Sequence, residues 1–185
     1  MTEPIYYAGI GSRKTPQAIL IQMKVLAFIL AEKGFVLRSG GADGADSAFE
    51  QGCDRINGVK EIYLPWKRFN ENESPLFEPD SSIRKYASQF HPVWETLSFS
   101  VKQLHARNCQ QVLGKDLQSP SAFVLCWTSP NHGGTSQAIR VAEANGIPVI
   151  NMALYKGRPV SDLIFILQYW MAPRPMPLFL GPKPH

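Results

Sequence analysis

The sequence predicts an α/β fold with a parallel sheet. Short apolar runs, typical of buried strands, alternate with longer segments in which apolar residues recur at helical spacing. The links between these elements are short, and three of the strand-like runs end in glycine-centred turns. Alternation of strands and helices with short links is the pattern of parallel βαβ units.

The first half of the chain supplies three strands and two helices. Strands are expected at residues 5–10, 35–38 and 60–64, because each run is short and rich in apolar side chains. A segment with helical spacing follows each of the first two strands. The expected inner faces of these helices are Ile19, Leu20, Met23, Leu26, Ala27 and Leu30 in the first, and Ala45, Ala48, Phe49, Cys53 and Ile56 in the second.

Residues 66–119 interrupt this alternation. The stretch 70–82 is polar and contains prolines, so we expect a loop there. An apolar stripe at helical spacing then begins at Trp94, includes Leu97, Val101 and Leu104, and continues to Gly114. We therefore predict a helical insertion at about residues 70–119, after the third strand.

Strands and helices alternate again in the second half. The run 121–127 is apolar enough to be a central strand that is buried on both faces. A helix is expected at 134–145, a strand at 147–152 and a last helix at 160–170. Residues 172–185 contain five prolines and predict an extended or disordered tail.

Five such strands with right-handed crossovers make a Rossmann-like three-layer sandwich with a mainly parallel sheet. The insertion after strand three suggests that strand four lies beside strand one, which gives the order 3-2-1-4-5. We expect residues 1–171 to form one domain of this kind. Its ligand crevice is expected where the strand order reverses, at the carboxyl ends of strands one and four.

Composition and charge narrow the class of protein. The chain has 185 residues, enough for a sizeable core, and we expect neither a metal nor a cofactor. The net charge of +4 suits an anionic ligand, but the basic residues are scattered and do not by themselves predict nucleic-acid binding. Cys53, Cys109 and Cys126 lack metal-ligand spacing and predict reduced thiols and a cytoplasmic location. The apolar run 19–30 is too short for a membrane span, so no membrane partner is expected.

Three glycine-centred turns at strand ends are expected to form the functional site. Glycine lets the backbone approach an anion closely, and a following helix offers unpaired N–H groups that favour phosphate. The turns follow strands one, two and four, whose carboxyl ends meet at the crevice. The candidate ligand-binding residues are Gly9, Gly11, Ser12 and Arg13 in the first turn; Ser39, Gly40, Gly41, Ala42, Asp43, Gly44 and Asp46 in the second; and Gly133, Gly134 and Thr135 in the third.

Several of these residues also have a purely structural interpretation. Asp43 or Asp46 is suited to cap the second helix. Arg13 is suited to a bidentate phosphate contact, to solvent or to an ion pair with Asp46. Thr135 is suited equally to cap its helix or to bind phosphate, and His132 is expected at the surface rather than in catalysis.

The insertion adds Arg107 and Asn108 as candidate ligand-binding residues. Asn108 falls on the apolar stripe of the inserted helix, so its amide needs hydrogen-bond partners. Either these partners lie in the core, or the helix covers the crevice and presents both residues to a base or a sugar. Three aromatic residues are suited to stack on a base but are more typical of a core: Trp66, Phe69 and Trp94.

The strings GSRKTP, LRSGGADGADSAFEQG, KEIYLPW and GGTSQAIRVAEANGIPVIN resemble the SLOG superfamily. That superfamily includes the bacterial DNA-processing protein A (DprA) and the LOG, or "lysine decarboxylase-like", proteins. The string SGGADGAD is most similar to the DprA-like branch and to small members that include phage ones. The resemblance covers about residues 5–69 and 121–152 and leaves the insertion and the tail outside.

The resemblance implies a phosphate on the loop 39–46, beside Gly11, Ser12 and Arg13. LOG enzymes cleave the N-glycosidic bond of nucleoside monophosphates, with a catalytic glutamate at the end of the motif P-G-G-x-G-T-x-x-E. Alignment on Gly134-Thr135 puts Ala138 at that position, with Gln137 beside it, and neither can act as a general base. The departure argues against LOG-type hydrolysis, and Glu50 is expected to point away from the crevice.

We therefore expect a protein that binds a phosphorylated nucleoside or another nucleotide-derived small molecule, such as an ADP-ribose-like ligand. It would serve as a sensor, a sequestering module or a nucleotide-processing protein. Two alternatives remain: a LOG-like nucleotide N-glycosidase, and a DprA-like protein that binds single-stranded DNA in recombination. A homo-oligomer is compatible with the sequence, because several apolar residues near the end suit a partner surface as well as the core: Phe165, Trp170, Phe179 and Leu180.

Overall fold

The sheet has five parallel strands which, numbered along the chain, lie in the order 3-2-1-4-5, and this confirms the predicted topology. The structure, a computed structural model, describes residues 3–129 and 133–171. The predicted tail therefore lies outside the described residues. The strands are β1 (Tyr6–Gly11), β2 (Val36–Ser39), β3 (Lys60–Ile62), β4 (Val124–Trp127) and β5 (Val149–Asn151).

Helices cover both faces of this sheet, because successive residues of a strand point to opposite faces. The helices are α1 (Gln17–Glu32), α2 (Ala45–Asp54), α3 (Ser81–Ser88), α4 (Phe99–Leu113), α5 (Gly134–Ala144) and α6 (Val160–Met171). On β1, Tyr7 packs in the core beneath α1, α2 and α6, whereas Ala8 and Ile10 pack in the core beneath α3, α4 and α5. None of the helices in the described parts of the chain is long and apolar enough to cross a membrane.

The insertion contains two α-helices rather than the long one that the sequence indicated. Asp80 begins α3 by accepting hydrogen bonds from the backbone of Ser82 and Ile83 within the stretch expected to be a loop. Ser98 begins α4 in the same way, so Trp94 lies in a separate 3-10 turn before it. The apolar stripe is therefore broken by a cap at Ser98, and only its second half is helical.

A buried arginine joins the end of the insertion to the sheet. Arg38 on β2 is 2% exposed, and its Nε donates to Glu61 on β3 at 2.7 Å. Its Nη1 donates to the carbonyl of Ser119, and its guanidinium stacks over the ring of Tyr6 at 3.8 Å. These contacts fix the segment between α4 and β4 and thereby the position of α4 above β1 and β2.

Candidate functional site

A cleft of about 380 Å³ lies at the carboxyl ends of β1 and β4, where the strand order reverses. Loops after β1, β2 and β4 contribute to it, and α4 of the insertion forms the opposite wall. The lining residues are Ile10, Gly11, Ser12, Arg13, Lys14, Ala42, Asp46, Val101, Leu104, His105, Arg107, Asn108, Gln111, Gly133, Gly134, Thr135 and Ala138.

The loop after β1 places two cations at the mouth of the cleft. The backbone N–H of Ser12 donates to the carbonyl of Trp127 at 3.0 Å, which joins this loop to the end of β4. The Ser12 hydroxyl accepts from the N–H of Lys14 at 3.0 Å and so closes a tight turn. Arg13 and Lys14 lie on that turn with exposed side chains, so the entrance carries positive charge.

The loop after β2 packs directly on the loop after β1. Gly44 has φ +82°, and a β-carbon there would lie 2.7 Å from the carbonyl oxygen of Ser12. A β-carbon on Gly11 would lie 2.6 Å from that of Ala45. Glycine is therefore required at both positions, and the two loops form one continuous wall.

A buried ion pair joins α2 to α4 behind this wall. Nη1 of Arg107 donates to Oδ2 of Asp46 at 3.0 Å, and the two residues are 5% and 3% exposed. Oδ2 of Asp46 also accepts from the N–H of Ala42 at 3.4 Å. Asp46 therefore caps its own loop and pairs with Arg107, which decides against the alternative of an Asp46–Arg13 pair.

Burial and pairing act on this pair in opposite directions. Burial raises the pKa of the Asp46 carboxyl, and Arg107 together with the backbone amides of Ala42 and Gly11 opposes that rise. Burial likewise lowers the pKa of Arg107, and Asp46 opposes it. Because an arginine guanidinium keeps its proton in proteins, the pair is a carboxylate and a guanidinium that neutralise each other.

A chain of side-chain amides extends this pair toward α5. The Gln111 carbonyl oxygen accepts from the N–H of Gly40 at 2.9 Å, and its NH₂ group donates to Oδ1 of Asn108 at 3.1 Å. Nδ2 of Asn108 donates to the carbonyl of Gly134 at 3.1 Å and to Oε1 of Gln137 at 3.3 Å. Asn108 thus finds its partners in the protein while it lines the cleft.

The N-terminus of α5 borders the cleft. Its N-cap residue is Gly133, which has φ +91° and no side chain with which to cap the helix. Gly134 and Thr135, in the first turn, line the cleft. A helix N-terminus with nearby cations is suited to an anion.

His105 is a neutral group in the α4 wall. Burial, together with the neighbouring His91, lowers its pKa to about 4, so the imidazole carries no charge at neutral pH. The centroids of the His91 and His105 rings are 4.6 Å apart. Among the described residues, no three His, Cys, Asp or Glu side chains come together as a metal site would require.

Two solved proteins share this architecture. DNA processing protein A from Helicobacter pylori superposes with a TM-score of 0.61 at 18% identity, over 90% of this chain and 81% of that one. The molybdenum cofactor (Moco) carrier protein from Chlamydomonas reinhardtii gives a TM-score of 0.58 at 16% identity, over 93% of this chain and all of the carrier. The chain shares the fold of these two proteins. This is the fold that the resemblance of the sequence motifs implied.

In contrast to the structural similarity, the sequence matches no protein-family model and no curated protein. At identities below 20% the shared architecture carries no information on ligand or activity. The class of ligand has to be inferred from the residues that line the cleft of this chain.

Ten of the predicted site residues line the cleft. They are Gly11, Ser12, Arg13, Ala42, Asp46, Arg107, Asn108, Gly133, Gly134 and Thr135. The other six do not line it: Gly9, Ser39, Gly40, Gly41, Asp43 and Gly44.

Most of these six residues pack behind the residues that line the cleft. A β-carbon on Gly9 would lie 2.6 Å from the Phe49 ring, and the Ser39 hydroxyl donates to the Gly9 carbonyl at 2.7 Å. Gly41 has φ +65° and packs against Leu64 of the core. Asp43 is exposed and is not the N-cap residue of α2, which is Gly44.

Four residues of the α4 wall are not among the predicted ligand-binding residues: Val101, Leu104, His105 and Gln111. The sequence predicts Val101 and Leu104 only as part of the apolar stripe of the inserted helix. His105 and Gln111 lie three residues before and after Asn108, a spacing that places them on the same face of the helix as that candidate.

The remaining candidates lie away from the cleft. Glu50 accepts from Lys60 at 2.8 Å and from Asn72 at 3.1 Å, so it points down α2 as expected. Phe69 is 5% exposed and belongs to the core, with Trp66 edge-on against it at 5.1 Å. His132 lies outside the described residues.

Proposed function

We propose that this cleft binds a phosphorylated nucleoside or another nucleotide-derived small molecule. The observation that supports this most directly is the convergence of Arg13, Lys14 and the N-terminus of α5 on one concave site. Its volume of about 380 Å³ falls within the range of roughly 300–1,000 Å³ that is usual for small-molecule sites. An anion at the mouth and an apolar group below it would satisfy both parts of the site.

The phosphate would lie at Gly133–Thr135 and Arg13 rather than on the loop 39–46. In that loop the N–H of Ala42 already donates to Asp46, and the N–H of Gly40 donates to Gln111. Two of the N–H groups that this loop could offer a phosphate are thus already bonded within the protein. This revises the placement implied by the sequence resemblance, which put the phosphate on the loop itself.

The base or sugar would pack on the floor and on the α4 wall. Ile10, Val101 and Leu104 supply apolar surface there, and Asn108 and neutral His105 supply polar groups that carry no charge. A site of this composition suits an uncharged heterocycle better than a second anion.

The acidic groups of the cleft favour ligand binding without hydrolysis. Among the described residues that line the cleft, Asp46 is the one carboxylate, and it is held by Arg107. A glycosidase needs a carboxylate free to act on the scissile bond. We therefore propose a sensor or sequestering role and rank the N-glycosidase second.

The two solved structures are named for different ligands, single-stranded DNA and the molybdenum cofactor. For this chain the cleft favours the small molecule. The three aromatic residues considered for stacking on a base, Trp66, Phe69 and Trp94, are not among the described residues that line the cleft.

Thermal unfolding with a ligand panel tests the proposal. The panel contains the four ribonucleoside monophosphates, NAD, ADP-ribose, cyclic nucleotides and a short single-stranded DNA. A ligand that binds only the folded protein stabilises it by about 2.7 kcal/mol at a hundredfold excess over Kd. We expect a small nucleotide to raise the melting temperature, and chromatography of the same mixture to show no free base.

Two exposed arginines provide the matched comparison. Arg13→Ala removes a cation from the cleft mouth, whereas Arg55→Ala removes one at the far end of α2. Loss of the shift in the first variant and its retention in the second would support the proposal. A shift with DNA alone, or an equal loss in both variants, would contradict it, and release of free base would replace it with the glycosidase.

A further inference from the structure

Arg107 has one N–H group that the protein leaves without an acceptor. Its Nη1 donates to Asp46 at 3.0 Å and to the side-chain carbonyl of Gln111 at 3.3 Å. Its Nε is buried and finds no hydrogen-bond partner among the described residues. The side chain is 5% exposed and lines the cleft. A buried donor without a partner is rare in folded proteins and needs a specific explanation.

The ion pair with Asp46 does not use the full donor capacity of the guanidinium. An arginine beside a carboxylate commonly donates two parallel hydrogen bonds, because its N–H groups match the two carboxylate oxygens. Here Nη1 donates to Oδ2 of Asp46, and Nε takes no part. Contacts beyond the ion pair must therefore fix the orientation of the guanidinium.

The ring of Phe69 provides such a contact. Cζ of Arg107 lies 5.9 Å from the centre of this ring, within the range of about 6 Å for a cation–π interaction. Phe69 is 5% exposed, so the contact is shielded from water. Trp66 packs edge-on against the same ring at 5.1 Å and holds it in place. The phenyl ring therefore limits the orientations that are open to the guanidinium.

The turn that contains Phe69 is strained and is anchored to the cleft wall. Arg68 and Asn70, on either side of Phe69, have φ +59° and +49°, in the left-handed region that residues other than glycine seldom adopt. Nδ2 of Asn70 donates to the carbonyl of Gly41 at 3.0 Å, which joins the turn to the loop after β2. Such strain persists only where the surrounding contacts impose it. The chain thus maintains an unfavourable turn that directs Phe69 toward Arg107.

We propose that Phe69 is a positioning residue that holds the Arg107 guanidinium so that its Nε–H stays free for a hydrogen-bond acceptor of the ligand. Without the ring, the guanidinium is free to turn and to donate from Nε as well as Nη1 to Asp46, which withdraws the donor from the ligand. A carbonyl oxygen or an unprotonated ring nitrogen of a nucleobase is an acceptor of the required kind. This inference rests on the proposed function and adds a residue that favours ligands with such an acceptor.

Two variants with the same substitution in the same core test the inference. Phe69→Leu removes the ring over Arg107, whereas Phe35→Leu removes a ring that packs on Phe123 and does not line the cleft. Both phenylalanines belong to one core cluster and are 5% and 8% exposed. AMP, GMP, CMP and UMP are titrated calorimetrically into each protein. We expect Phe69→Leu to weaken the tightest-binding of the four at least fivefold and Phe35→Leu to leave its affinity within twofold.

The ¹H–¹⁵N resonance of the Arg107 Nε–H group reports its placement directly, because the group is buried and its guanidinium lies over an aromatic ring. It is assigned through the bonds of the Arg107 side chain in the ligand-free protein. In Phe69→Leu we expect the proton to lose its ring-current shift and to move downfield as it becomes bonded to Asp46. In Phe35→Leu it should stay in place, and in the original protein nucleotide binding should shift it.

A second variant acts through the turn and leaves the ring intact. Asn70→Gly permits the left-handed backbone but removes the hydrogen bond to Gly41. It should shift the Arg107 Nε–H resonance in the same direction as Phe69→Leu and weaken the nucleotide at least twofold. This variant decides the question if Phe69→Leu does not fold.

The outcomes separate this inference from the proposed function. The inference is wrong if the two leucine variants bind the nucleotide equally well, since Phe69 would then contribute only to the core. It is also wrong if the Arg107 resonance is unchanged in Phe69→Leu and in Asn70→Gly. If none of the four nucleotides binds the original protein, the proposed function is wrong, and the ligand-free resonance still decides whether Phe69 positions Arg107.

Discussion

The guanidinium of Arg107 occupies the space where a side chain on Gly40 would lie. A β-carbon at Gly40 would overlap Nη1 of Arg107 and would lie 2.5 Å from Cζ. Gly40 does not have a left-handed backbone, so the requirement for glycine there is steric. The glycine motif after β2 thus serves to seat an arginine from the insertion, and that arginine in turn holds Asp46.

Gly40→Ala should destabilise the protein by about 1–3 kcal/mol, because the buried guanidinium has to move from Asp46 and Gln111. Urea unfolding measures the change. Gly134→Ala is the matched control, since among the described residues the nearest atom to its new β-carbon, Nδ2 of Asn108, would be 3.4 Å away. We expect the control to change the free energy of unfolding by less than about 0.5 kcal/mol. Equal losses in the two variants would contradict the steric account.

Arg107→Met should cost about 3–5 kcal/mol of unfolding free energy, because it leaves the Asp46 carboxylate buried without its partner. Adding Asp46→Asn should restore part of that loss, with a coupling energy of at least about 1 kcal/mol in a double-mutant cycle. The exposed pair Arg68–Glu73 has the same 3.0 Å distance and provides the control. Arg68→Met should cost less than about 1 kcal/mol, and an additive cycle for Asp46 and Arg107 would rule out the buried pair.

His105 should make stability depend on pH between about 6.5 and 4. Its pKa in the folded protein is about 4, below the ordinary 6.5, so the unfolded chain binds a proton first as the pH falls. The free energy of unfolding therefore decreases from pH 6.5 to pH 4 and gains no further slope from this residue below pH 4. His105→Gln should remove this contribution, which appears as the difference between the two unfolding curves. Parallel curves across that range would show that His105 is not buried as described.

Arg13→Ala should weaken nucleotide binding by roughly 10- to 100-fold, the loss of one charge-assisted hydrogen bond. The side chain is exposed, so the unfolding free energy should stay within about 0.5 kcal/mol of the original. Calorimetric titration with the tightest-binding nucleotide measures the first effect and urea unfolding the second. An unchanged affinity would place the anion elsewhere.

The order of the sheet could be predicted from the sequence because hydrophobic periodicity and short links report directly on parallel βαβ units. The ends of the helices in the insertion could not be predicted in this way. The cap at Ser98 and the start of α3 at Asp80 depend on a single side chain each, and an apolar stripe that runs past them conceals the break. Ile56 was likewise predicted to lie on the inner face of the second helix. Because α2 ends at Asp54, Ile56 lies beyond the helix and is 36% exposed.

The sequence predicted that the three loops meet at one site. It did not show which of their glycines contact a ligand and which make room for a neighbouring side chain. Glycines that contact a ligand and glycines that make room for a neighbouring side chain have the same signature in a sequence. Gly9 and Gly40 are of the second kind, and their partners Phe49 and Arg107 lie 40 and 67 residues further along the chain. The wall formed by α4 depends on a tertiary contact for which the sequence contains no local signal.

The central claim is that a phosphate binds at the N-terminus of α5, and amide chemical shifts test it most directly. ¹H–¹⁵N spectra are recorded with AMP, GMP, CMP and UMP, and with the corresponding nucleosides as phosphate-free controls. The account predicts that at least one monophosphate shifts the amides of Gly134, Thr135 and Arg13 far more than its nucleoside does. It also predicts that the amide of Gly40, which is bonded to Gln111, moves little. Large shifts at Gly40 and Gly41 with none at Gly134 and Thr135, or no shifts with any monophosphate, would contradict it.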